Sequence, residues 1–271
     1  MKLIVFSKML KEQSVTELIQ TAHDLGIDGY DLCIRPGYAI NPDNISNELV
    51  RTANNFHNEG LSIPMVTGNF DLLTPDHPTA ELLLSQMDQA NIRLIKLGYY
   101  KFDPATQNYM SEVDRIKRIF SSWERLGEKY QVKVCYHVHS DRCMGLNCAA
   151  LAHLIGECDP RYIGGYIDPG HMVIEGEEFA VGAAMVEKHL SIVGLKDVML
   201  TRQWKQNHGS VRAEFVPAGE GMVDWTEVFR VLQSSSFDGP LSIHCEHEED
   251  PAKMVDALRK EVAFFRPKLY S

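Results

Sequence analysis

Residues 3–10 read Leu3-Ile4-Val5-Phe6-Ser7-Lys8-Met9-Leu10. The apolar, partly β-branched first half is a short buried strand, and the residues directly after it decide the fold. A doubly wound open sheet usually carries a glycine-rich phosphate loop after its first strand. Here the strand runs into Ser7-Lys8-Met9-Leu10, with no glycine. The competing parallel architecture is a closed barrel of eight βα units, which takes ~250 residues. The chain has 271.

Working outward from that stretch, apolar strand-like runs recur roughly every 30 residues, as βαβ units require. They cover residues 3–7, 29–33, 62–67, 92–98, 132–138, 163–168, 192–196 and 241–246. Helical patterns lie between them. Ser14-Val15-Thr16-Glu17 is a capping box before Leu18, Ile19, Ala22 and Leu25. Asp224 and Glu227 start a similar one, and Asp250-Pro251 places a cap and a first-turn proline before the last helix. Gly26 and Gly60 stand where helices stop. The longest gap between strands, from Lys196 to Leu241, reads as a βα loop with an insertion. Residues 1–271 therefore read as one α/β domain, a single (β/α)8 TIM barrel.

The formal net charge of -10 argues against nucleic acid and against an anionic membrane surface, both of which require a basic face. The six cysteines form no C-x-x-C pair and read as small buried thiols. The apolar run after Met1-Lys2 is too short for a signal-peptide core, and none approaches membrane-spanning length. A cytoplasmic protein is expected, with the oligomeric state left open.

Strand side chains alternate, so one parity faces the barrel interior. Val132, Val134, Tyr136 and Val138 suit the helix-facing side, which turns His137 and His139 inward. The same parity gathers Asp31, Cys33 and Arg35, then Lys96 and Gly98, then Gly194 and Lys196, then Ser242, His244 and Glu246. Asp168 ends the sixth run, before Pro169-Gly170-His171. Charged side chains are rarely buried without a partner or a function. Their accumulation at one end of several strands places the active site where barrel enzymes keep it.

At these residues the chain resembles the xylose-isomerase-like sugar phosphate isomerases and epimerases. Residues 26–32 (Gly-Ile-Asp-Gly-Tyr-Asp-Leu) are similar to their second strand, and Tyr136-His137-Val138-His139 to their fifth. Asp168-Pro169-Gly170-His171 resembles their Asp-x-x-His, and Leu195-Lys196-Asp197 their Lys-Asp. Residues 218–225 resemble their Gly-Glu-Gly-x-Val-Asp-Trp loop, and residues 239–246 the eighth strand of a less characterised branch. The resemblance implies a divalent metal (Mn, Mg, Co or Zn) held by Glu, Asp, His and Glu on the last four strands. This chain departs from that set. His137 and His244 stand where glutamates are expected, and Gly194 stands where a histidine ligand is expected. Two readings stay open. Either His137, Asp168 and His244 form a two-histidine, one-carboxylate face, or the metal is lost and Lys196 supplies the positive charge.

The function this implies is isomerisation or epimerisation of a small sugar, sugar phosphate or related polyhydroxy carbonyl compound through an enediolate. Glu246 or His244 is the expected base, His137 or His139 its partner, and Lys196 or a metal the oxyanion holder. Arg35, Lys96, His139, His171 and Glu220 are the expected substrate contacts. A lyase or dehydratase acting on a keto-sugar or inosose-like substrate shares the first step, and a non-catalytic sugar-binding barrel is the non-enzyme alternative. An abasic-site endonuclease of the same superfamily is disfavoured by the acidic balance and by Gly194. Tyr99, Tyr100, Trp204 and Trp225 read as packing aromatics, His153, His189 and His208 as solvated, and residues 248–250 as a solvated acidic loop.

Overall fold

The computed structural model describes residues 1–248 and 250–270; Glu249, at the centre of the acidic loop, lies outside them. Ten strands are present among these residues: β1 (Lys2–Phe6), β2 (Gly29–Cys33), β3 (Ser62–Thr67), β4 (Leu94–Lys96), β5 (Lys133–His137), β6 (Ile163–Ile167), β7 (Leu190–Leu195), β8 (Asp197–Lys205), β9 (His208–Val216) and β10 (Pro240–Ile243). The α-helices are α1 (Val15–Leu25), α2 (Ile45–Asn58), α3 (Ala80–Gln89), α4 (Tyr109–Tyr130), α5 (Cys148–Ile155), α6 (Pro169–Ile174), α7 (Phe179–Met185), α8 (Trp225–Ser234) and α9 (Met254–Phe265). Eight strands close in the order β1-β10-β7-β6-β5-β4-β3-β2, all parallel, making a (β/α)8 barrel. Closure runs through Leu3 against Leu241 on one side of β1 and Val5 against Tyr30 on the other.

Two cores arise from the strand alternation. Ile4, Met65, Cys135, Tyr166 and Ile192 point inward and fill the barrel. The opposite parity, including Leu3, Val5, Leu32, Val66, Val134, Tyr136, Val193 and Ile243, packs under the helices. Each large aliphatic side chain so buried contributes roughly 1.5–3 kcal/mol. The inward positions one step further along the strands are polar: Asp31, Thr67, Lys96, His137 and Ser242 are all buried. This switch from apolar filling to buried polar groups marks the floor of the site.

Local signals set the helix ends. Ser14 and Glu17 form the full capping box on α1, and Gly26 ends that helix at φ 67°, a left-handed conformation only glycine adopts without strain. Asp224 accepts from the Glu227 amide at the start of α8. The expected cap at Asp250 does not start α9. Its carboxylate accepts from the Ala252 amide in a local turn, and the helix begins four residues later, at Met254.

The insertion after β7 is an antiparallel hairpin, β8 paired with β9 from Asp197↔Val216 to Lys205↔His208, turned by Gln206-Asn207. His189, expected in solvent, is buried, with Nδ1 donating to the Ile163 carbonyl at 2.9 Å. Among the described residues no helix is long and apolar enough to cross a membrane.

Candidate active site

At the C-terminal ends of the strands lies a cavity of about 70 Å³. Of the residues expected there, Arg35, Lys96, His137, His139, Lys196, His244 and Glu246 line it. Phe6, Lys8, Thr67, Phe70, Tyr99 and Tyr166 complete the wall. Asp168, with no exposed surface, lies behind His137 and Lys196. His171 is buried beside His139, their ring centroids 4.0 Å apart.

Lys196 sits at the junction of β7 and β8, and its ammonium is buried between two carboxylates. It donates to Glu246 Oε2 at 2.9 Å and lies 3.5 Å from Asp168 Oδ2. Burial opposes the charge, but Asp168 and Glu246 outweigh it and raise the lysine above its usual value. The other oxygen of Glu246 accepts from Lys8 Nζ at 2.6 Å. Burial pushes the Glu246 carboxyl up, but Lys196, His244 and Lys8 together hold it far below the usual carboxylate range. A carboxylate held so firmly ionised is a weak proton acceptor.

The histidines are neutral, and hydrogen bonds fix two tautomers. The Ser140 amide donates to His171 Nδ1 at 3.3 Å, so the ring proton is on Nε2. His139 Nδ1 lies 2.8 Å from the Ser140 carbonyl, which only accepts, so its lone pair is on Nε2. Burial lowers His139 to about 4 and His244 to about 3, and lowers His137 and His171 well below their usual value. Tyr99 Oη is 2.8 Å from His137 Nδ1, and His137 Nε2 lies 3.3 Å from Asp168 Oδ2, both of these last two atoms buried without a hydrogen-bond partner. Tyr166 Oη meets His244 Nε2 at 2.6 Å. Below them Asp31 accepts from Thr67 at 2.7 Å and Ser242 at 3.4 Å, and burial raises it to about 6.

The donor set does not fit a divalent cation. Among the described residues no group of three or more His, Cys, Asp and Glu side chains is placed to hold one. In the expected set, His244 Nε2 is committed to Tyr166. His171 presents an N–H rather than a lone pair. A β-carbon on Gly194 would lie 3.1 Å from Asp168 Oδ2 and 3.2 Å from the Tyr166 ring, so Tyr166 fills the space a ligand there would need. The free oxygen of Asp168 already faces the Lys196 ammonium, which repels a second cation.

Glu220 is not part of this cavity; its side chain is exposed. The loop that carries it serves Asp197 instead. Asp197 is buried and accepts from the amides of Val198, Gly219, Gly221 and Val223 and from Trp225 Nε1, at 2.8–3.2 Å. The Lys-Asp and Gly-Glu-Gly motifs thus meet as a structural clamp that fixes the start of β8 and with it Lys196.

Sequence reasoning missed Lys8 and Tyr166 and left Tyr99 among the packing aromatics. Lys8 follows a strand without any motif, and Tyr166 looks like core because it lies inside one. The spacing of Tyr99 three residues after Lys96 was the available signal, and Lys96 Nζ lies 3.9 Å from that ring.

The family described as xylose isomerase-like TIM barrel matches residues 19–268. An inosose dehydratase of Lacticaseibacillus casei is 26% identical over 151 residues, 52% of this chain and 49% of that protein. The chain thus spans about half the length of the curated relatives it matches. Among solved structures, the 3-keto-D-glucoside 4-epimerase YcjR of E. coli superposes with a TM-score of 0.73 at 16% identity, covering 98% of this chain and 99% of that one. The IolI protein with a bound zinc atom gives 0.78 at 12% identity, over 99% and 98%. At such identities the structural likenesses establish the fold.

Proposed function

The chain belongs to the xylose isomerase-like TIM barrel family, and on that premise we propose an enzyme that moves a proton next to the carbonyl of a small polyhydroxylated compound. The observation that carries the proposal is the buried Lys196 ammonium, held between Asp168 and Glu246 at the barrel mouth. There it faces the oxygen on which negative charge develops as an enediolate forms. A fixed charge in a water-poor pocket is worth far more to that oxyanion than one in solvent. Asp168 and Glu246 keep it charged and aimed.

His139 takes the base role in place of Glu246. Among the described residues its Nε2 lone pair carries no hydrogen bond, and although burial lowers it to about 4 it remains a far better proton acceptor than Glu246, so it accepts the proton from carbon and returns it to the neighbouring carbon. Tyr99, hydrogen-bonded to His137 with Asp168 behind, holds a movable proton that can pass between the two substrate oxygens. The product is an isomer of the substrate. Dehydration is the second reading, favoured by the inosose dehydratases among the relatives. It begins with the same abstraction, after which the neighbouring hydroxyl leaves with the proton held by His139, as water.

The test is incubation in D2O with a panel of aldoses, ketoses, sugar acids, sugar phosphates and inososes, followed by NMR and mass spectrometry. Deuterium on carbon with the formula otherwise retained supports isomerisation. Loss of water with a new conjugated carbonyl supports dehydration. Binding without exchange or elimination would overturn the proton-transfer reading in favour of a sugar-binding barrel.

A further inference from the structure

Lys8, Arg35, Lys96 and Lys196 are four cationic side chains lining one small cavity. Lys8 and Lys196 are paired through Glu246, and Lys196 also faces Asp168. Arg35 and Lys96 are the exception. They are 6% and 4% exposed, yet among the described residues neither has a carboxylate at ion-pair distance. Arg35 spends only Nε on protein, donating to the Gly68 carbonyl at 3.2 Å, and its guanidinium lies 3.9 Å from the Phe70 ring. Lys96 lies over Tyr99. Asp31, the carboxylate that acts most on Lys96, is tied to Thr67 and Ser242 and does not line the cavity. Burial and the neighbouring Arg35 push Lys96 down to about 7, against the opposing pull of Asp31 and Glu246, which do not reach ion-pair distance. Buried charges in proteins are usually paired directly, and among the described residues neither of these two has a carboxylate in contact.

We propose that Arg35 and Lys96 form an anion subsite, and that the substrate is an acidic sugar derivative whose carboxylate they hold. This rests on the proton-transfer reading above and adds the substrate class. Arg35 follows β2 and Lys96 ends β4, so they flank the end of β3, where Thr67 pairs with Cys33 and Lys96. In the closed order β1-β10-β7-β6-β5-β4-β3-β2, β3 lies diametrically across from β7, which leads into Lys196. One substrate spanning the mouth therefore places its anionic end over β3 and its carbonyl at Lys196. The planar fork of Arg35 suits a carboxylate, bound through two parallel hydrogen bonds. A phosphate ester shares the same chemistry and is the competing source.

The experiment measures binding to the full chain by calorimetry and melting temperature. The probes are D-glucuronate and D-gluconate, D-fructose 6-phosphate, and the neutral D-glucose and D-fructose. Wild type, R35M, K96M and R35K are compared. Carboxylates are expected to bind and raise the melting temperature while neutral sugars do not. R35M and K96M should weaken carboxylate binding roughly 10- to 100-fold, the range for a lost charged hydrogen bond. R35K should recover part of it, which a misfolded pocket would not. Preference for the phosphate ester with the same dependence on both cations keeps the anion subsite and overturns the carboxylate assignment. Neutral sugars binding as tightly as acids, no anion binding, or acids binding equally to R35M and K96M would overturn the subsite. The underlying reading fails separately: carbon–deuterium exchange into neutral sugars alone would sink the subsite and spare proton transfer. Anion binding with neither exchange nor elimination would do the reverse.

Discussion

Replacing Lys196 with methionine keeps most of the aliphatic stem and removes the ammonium. Wild-type Lys196 is 3% exposed, 2.9 Å from Glu246 Oε2 and 3.5 Å from Asp168 Oδ2, and Asp168 has no exposed surface. Removing one member of a buried ion pair costs ~3–5 kcal/mol, because its partners stay buried and uncompensated. Glu246 keeps Lys8 at 2.6 Å, which places the expected loss near the lower end, ~3 kcal/mol at pH 7. The pH dependence has a definite sign. Glu246 is depressed in the folded protein, so the stability it gains from Lys196 is present above its unfolded pKa, ~4.3, and is lost as pH falls further. Lys196 is raised, so its contribution is full below its unfolded pKa, ~10.4, and declines as pH rises through its folded value. Urea unfolding of wild type and K196M should therefore differ most between about pH 5 and 10, and the difference should shrink progressively as pH falls below about 4. A difference under ~1 kcal/mol at pH 7, or one that grows in acid, would refute the assignment of Lys196 as the central counter-ion.

Asp197→Asn should destabilise the protein by at least ~2 kcal/mol in denaturant titration, because an amide nitrogen then faces N–H donors that the carboxylate satisfied. Acid should destabilise the wild type below pH 6.5, since His139 (about 4) and His244 (about 3) stay neutral when folded but gain protons when unfolded. Asp31, raised to about 6, opposes this between pH 6 and 3.8, so the melting temperature should fall as pH drops below 6.5 with a slope that Asp31 reduces, and H139Q should flatten it further. H139Q should also lower turnover by roughly 10²- to 10⁴-fold without unfolding the protein, measured as carbon–deuterium exchange once a substrate is identified.

The barrel was legible because its strands are short apolar runs whose alternation is geometric. Residues 29–33 and 62–67 match β2 and β3 in full, and the same parity turned His137, His139, Lys196, His244 and Glu246 to one pocket. Strand ends were less legible. The last run extends to Glu246 in sequence, but the ladder stops at Ile243, and the Glu246 amide turns back to the His244 carbonyl. The β8–β9 hairpin was read only as an inserted loop, because both its faces are largely exposed and it carries no periodic apolar signal. Lys8 and Tyr166 enter the site through contacts 238 and 78 residues away, which local pattern does not encode. Glu220 lies outside the cavity for a related reason. Its motif is built around backbone amides converging on Asp197, and the acidic side chain between them points to solvent.

On the proposed mechanism Lys196, rather than a divalent cation, stabilises the developing oxyanion. The most direct measurement is carbon–deuterium exchange in D2O by chelator-treated wild type and by K196M, each with and without added Mn, Co or Zn. Exchange by the wild type should survive the chelator and gain nothing from metal, and K196M should lose roughly 10²- to 10³-fold, as for a lost oxyanion donor. Exchange abolished by the chelator and restored by a metal, or K196M turning over at the wild-type rate, would contradict this mechanism.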